Sequence, residues 1–111
     1  MKETGDKYRN FINLMIQELD NVADCYVVDT DFNGTEFEFK FFNKCHGVYY
    51  YFTIDSNIIK KINTHSQLIS VVCAYVGFIR SYVFHENNGM GLKYTRIPKI
   101  DEKIINEALN C

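Results

Sequence analysis

Four carboxylates stand at alternate positions on either side of one Asn-Gly dipeptide: Asp29 and Asp31 before Asn33-Gly34, Glu36 and Glu38 after it. Residues two apart on a strand share a face, so this spacing collects all four on one side of a hairpin. From Glu18 to Glu38 there are seven acids and no Lys or Arg. They present negative charge, and the chemistry they suit is attraction of a cation-rich surface.

Other reactive types are present but do not form a motif. Cys45 and His46 are adjacent, and neighbours on an extended turn point apart, which is the wrong geometry for a nucleophile and its base. Cys45, His46, His85 and Cys111 are the residue types that hold zinc. Their separations lack the close ligand pairs of fingers and ribbons, so no metal and no cofactor is expected. There is no glycine-rich phosphate loop, no His-Glu-x-x-His and no calcium loop. Lys93, Arg96, Lys99 and Lys103 form a basic segment, and its bland reading is a solvated face.

The elements that position these residues follow from periodicity. Tyr8, Phe11, Ile12, Met15, Leu19 and Val22 recur at three- and four-residue steps, which predicts an amphipathic helix over residues 6–22, with Thr4 or Asp6 as its cap. Asn33-Gly34 predicts a two-residue hairpin. That turn pairs Asp31 with Glu36, Asp29 with Glu38, Val28 with Phe39 and Tyr26 with Phe41. It also puts Tyr26, Val28, Phe37, Phe39 and Phe41 on an inner face. Opposed like charges destabilise a sheet by about 0.2–1 kcal/mol each, so two such pairs point to a surface kept for binding. Val48, Tyr50, Phe52 and Ile54 alternate in a third strand of a meander over 25–54, leaving Tyr49 and Tyr51 outside beside the acids.

Asp55 offers a cap for a short helical turn. Thr64 with Gln67 makes a capping box ahead of a largely apolar run, which predicts a helix over 65–84, with a strand pair broken at Gly77 as the competitor. Ser70, Cys73, Gly77 and Ser81 form a stripe of small residues there, expected to receive the sheet or the first helix. An edge strand is expected over 92–97, stopped by Pro98. A last helix over 102–109 follows the Asp101 cap, with Ile100 and Ile105 at staple positions. The fold class is therefore α+β: three or four antiparallel strands with helices packed on one face.

With 111 residues, 47% apolar content and one proline, the chain fits a single compact domain over 1–111. The net charge of −2 hides a lopsided distribution, because residues 60–103 are predominantly basic. The polar N-terminus shows no signal peptide. The uncharged apolar run from Leu68 to Ile79 is too short to span a bilayer and is closed by Arg80. Four cysteines without paired spacing read as free thiols, so a cytoplasmic location is expected.

The order α-β-β-β-α resembles the double-stranded-RNA-binding domain in its element order. That family reads phosphates with lysines at the start of its last helix, where this chain has Thr64-His65-Ser66-Gln67, with Lys60 and Lys61 a few residues before. In size and lack of catalytic apparatus the chain also looks like bacterial toxin-immunity and phage anti-defence proteins. The expectation is a non-enzymatic intracellular inhibitor, monomeric rather than homodimeric. Its partner would be a basic protein, a nuclease or nucleic-acid-binding protein, met through Asp29, Asp31, Glu36, Glu38, Tyr49 and Tyr51. The alternative is a nucleic-acid-binding regulator using residues 93–103.

Overall fold

The computed structural model describes residues 2–85 and 95–110. Helix α1 (Lys2–Ala23) leads into strands β1 (Cys25–Phe32), β2 (Glu36–Asn43) and β3 (Val48–Asp55). The short α2 (Ser56–Lys60), long α3 (His65–His85), two-residue β4 (Thr95–Arg96) and α4 (Glu102–Leu109) follow. The sheet order is β1-β2-β3-β4. The first three strands form an antiparallel meander, and β4 runs parallel to β3. The expected antiparallel edge strand is thus shorter and reversed in sense. Its residues 92–94 lie outside the described residues.

The helices form for local reasons. Phe11, Met15, Leu19 and Ala23, four apart, are buried along α1. Ala23 takes the core position of the last turn, which leaves Val22 exposed where the periodicity had placed it inside. The helix begins ahead of Thr4 and Asp6, so neither is its cap. Asp24, with φ of 52°, turns the chain out of α1 in the left-handed conformation that Asp tolerates better than most residues. Asp55 accepts from the backbone N–H of Asn57, and Asp101 from that of Lys103. The capping box closes both ways: Thr64 Oγ1 accepts from Gln67 N at 3.1 Å, and Gln67 Oε1 from Thr64 N at 3.1 Å.

Helix α3 is a single helix, not a strand pair. It buries Val71, Val72, Tyr75, Val76, Ile79 and Val83 against Phe37, Phe39, Phe41, Tyr50 and Phe52 of the sheet and against α1. By length and composition the segment His65–Phe84 is also sufficient to cross a bilayer, more than the uncharged run within it suggested; a third of it is buried inside the fold. The small-residue stripe is not packed under the sheet or α1 along its length; Cys73, Gly77 and Ser81 border a groove whose other wall is Glu18 and Val22 of α1. Cys73, Gly77 and Ser81 are exposed, and a Cβ added at Gly77 would meet no atom within 4 Å.

The hairpin turns one residue later than expected: Asn33 N–H donates to Glu36 O at 3.2 Å, closing Gly34 and Thr35 between them. Asn33 Oδ1 accepts from Thr35 N at 3.0 Å, Thr35 Oγ1 at 3.0 Å and Glu36 N at 2.9 Å. This side-chain scaffold holds the shifted turn, with Gly34 at φ of 102°. The strands consequently pair Phe32 with Phe37, Asp31 with Glu38, Thr30 with Phe39 and Asp29 with Lys40. Relative to the expected turn the register has slipped by two residues, which preserves the faces of Asp29 and Asp31. An irregularity at Val28 then shifts the register by one, and from there the parity reverses. Cys25 and Val27 point inward, while Tyr26 and Val28, expected inside, are 61% and 48% exposed.

Candidate functional site

The outer face of the sheet can be read in rows across the strands. One row is aromatic: Tyr26 opposite Phe42, and Phe42 opposite Tyr49 with ring centroids 4.8 Å apart. The next is mixed, with Asp29 opposite Lys40, Lys40 opposite Tyr51, and Tyr51 opposite Arg96, whose guanidinium lies 6.0 Å from the Tyr51 ring centroid. A third carries Asp31, Glu38 and Thr53. At the end, Glu36 stands opposite Asp55. The face therefore grades from apolar to acidic over the length of the strands.

All six residues singled out for partner binding share this face. Asp29, Asp31 and Tyr49 are exposed, while Glu36, Glu38 and Tyr51 are half-buried on the inner strands. What differs is their pairing. Neither expected couple, Asp31 with Glu36 or Asp29 with Glu38, is formed; the opposed like-charge pair along the hairpin is Asp31 with Glu38. Glu38 also pairs with Lys40 of its own strand at 3.6 Å, and Lys99 Nζ donates to Glu36 Oε2 at 2.7 Å. Cations from β2 and from the segment after β4 thus partly neutralise the cluster. On β1, an edge strand, the Asp29 carboxylate has no hydrogen bond or ion pair to another described residue, and the Asp31 carboxylate accepts only from the adjacent Phe32 N–H.

Sequence reasoning missed the aromatic row. Tyr26 reaches the surface through the irregularity at Val28, which no local pattern announces. Phe42 was overlooked although it continues the outward alternation of β2.

The other candidates are dispersed. The Cys45 thiol donates to Asp24 Oδ2 at 3.4 Å, and this hydrogen bond holds its pKa above the ordinary thiol value, which disfavours the thiolate. The His46 ring stands edge-on to Phe84, centroids 6.1 Å apart. The His85 side chain, Cys111 and Lys93 lie outside the described residues. Among the described residues no group of three or more His, Cys, Asp or Glu is placed to hold a metal ion. Comparison of the chain with protein-family models, with curated proteins and with solved structures gave no match.

Proposed function

We propose that this protein is a small intracellular inhibitor, of the immunity or anti-defence kind. It would bind a basic protein, a toxin nuclease or a nucleic-acid-binding defence protein, through the outer face of its sheet. The observation that carries this reading is the shared exposure of Asp29 and Asp31 beside Tyr26, Tyr49 and Tyr51 on that face. Exposed carboxylates on an edge strand steer a cationic partner and set its orientation. Tyrosines supply rigid contact area with a hydroxyl at its tip, the combination enriched where interfaces concentrate their energy. No catalytic step, metal or cofactor belongs to this reading.

Nucleic-acid binding through residues 93–103 is the weaker alternative. Lys99 is engaged with Glu36, and Arg96 lies over Tyr51 at the rim of the acidic face. A phosphate backbone brought to these two cations would also meet the sheet carboxylates.

The test is capture from host cells with the wild type and with an Asp29→Asn, Asp31→Asn double variant, followed by reconstitution with the purified captured protein. The reading expects one basic protein that binds the wild type, releases with rising salt and binds the variant at least about tenfold more weakly. Reconstituted binding that is equal for both proteins would overturn it. So would saturable, salt-sensitive binding of duplex oligonucleotides lost on changing Arg96 and Lys99.

A further inference from the structure

Strand β3 continues past the two-residue β4, whose last partner is Tyr51. Beside its final residues a cleft of about 290 Å³ opens, bordered by Thr53 and Asp55 of β3, by α2, α3 and α4. This is at the small end of the range of about 300–1,000 Å³ over which ligand pockets occur.

Tyr75 is the informative residue. Its ring is wedged edge-on between Phe11 and Phe52, at 6.2 and 5.6 Å between centroids, and it is 1% exposed. Its hydroxyl nevertheless has no hydrogen bond to a described residue. The described polar side-chain atoms sealed from solvent without a partner are His46 Nε2 and the Tyr50 hydroxyl; the Tyr75 hydroxyl is not one of them, because Tyr75 lines this cleft, and a molecule in the cleft is the partner within its reach.

The charges around the opening narrow the choice of occupant. Asp55 is committed to capping α2 through Asn57 N at 2.9 Å, and Lys99 to Glu36. Lys61 and Glu102 also line the cleft, and neither side chain pairs with the other or with another described residue. A simple anion would be drawn to Lys61 and repelled by Glu102 and Asp55, and a simple cation would meet the reverse. A molecule carrying both signs satisfies both. Ile58, Ile105 and Leu109 complete the lining with an apolar wall.

We propose that this cleft binds a small zwitterion of amino-acid size: a carboxylate at Lys61, an ammonium at Glu102, a hydrogen bond to the Tyr75 hydroxyl, and an apolar body against Ile58, Ile105 and Leu109. The proposal is independent of the sheet-face reading.

The experiment is titration of the full chain, followed by amide NMR, with leucine, with isocaproate, which lacks the ammonium, and with isoamylamine, which lacks the carboxylate. Leucine is expected to shift the amides of Asn57, Lys61 and Asn106 saturably at millimolar concentration, with each analogue at least about tenfold weaker. Tyr75→Phe, checked by an undisturbed amide spectrum, is expected to weaken leucine by about tenfold. Lys61→Met, a surface change, is expected to weaken leucine while leaving isoamylamine as it was. Absence of saturable leucine shifts, equal binding of either analogue, or unchanged affinity in Lys61→Met would each overturn the proposal.

Discussion

Phe32 and Phe37 stack across the hairpin with ring centroids 4.4 Å apart and 22° between their planes, and Tyr8 of α1 closes on Phe37 at 5.1 Å. A turn centred on Asn33-Gly34 would have placed Phe32 opposite Thr35. The shifted turn exchanges that for an aromatic pair joined to the first helix, and pairs of this kind contribute about 0.5–1.5 kcal/mol beyond their burial. Asn33→Ala removes the acceptor that holds the loop and is expected to lower stability by about 1 kcal/mol, a fall in Tm of roughly 4–8 °C. Cross-strand NOEs should join Asp31 to Glu38. NOEs joining Asp31 to Glu36 instead would restore the turn centred on Asn33-Gly34.

Charge reversal should act with opposite sign at two neighbouring positions. Asp31 faces Glu38, so Asp31→Lys is expected to stabilise by a few tenths up to about 1 kcal/mol, whereas Asp29 faces Lys40, and Asp29→Lys is expected to destabilise by a similar amount. Urea midpoints at low ionic strength measure both. Equal effects would show that the two acids see the same surroundings.

Gly77 sits in the interior of α3 with open space where a Cβ would go. Gly77→Ala is therefore expected to stabilise by about 0.5–1 kcal/mol through helix propensity and reduced freedom of the unfolded chain. Thermal unfolding is the check, and a lowered Tm would mean that the stripe is covered in solution.

Alkaline pH should weaken the fold through Cys25. Burial pushes its thiol from 9.0 up to about 11, assisted by Asp24 and Cys45 and opposed by Asn43 and Lys44. Above pH 9 the unfolded chain gives up this proton while the folded chain keeps it. The contribution is thus full below the lower value and fades toward the upper one, by about 1.4 kcal/mol per pH unit. Tyr75, also raised by burial and by Asp55, adds to the loss at higher pH. Urea midpoints at about pH 8 and about pH 10 should show the decline, with a smaller one in Cys25→Ala.

The starts of α2, α3 and α4, the inward set Phe37, Phe39 and Phe41 and the outward pair Tyr49 and Tyr51 were readable in the chain. Each depends on residues within a few positions: a cap bonds its own first turn, and alternation along one strand assigns faces without reference to the neighbouring strand. Asp29 and Asp31 kept their expected face for the same reason, since a slip of two residues is invisible to a pattern of period two. Only the tertiary structure decided which carboxylate met which cation, because register depends on the loop that Asn33 builds and on stacking of Phe32 against a residue of the next strand. It also turned Tyr26 outward, as one extra residue at Val28 reverses parity and is favoured by burial of Cys25 and Val27. The cleft at Tyr75 belongs wholly to this level. Its lining comes from residues 53–109, brought together because β3 outruns β4 and α4 packs on α3, and no spacing within one segment encodes that meeting.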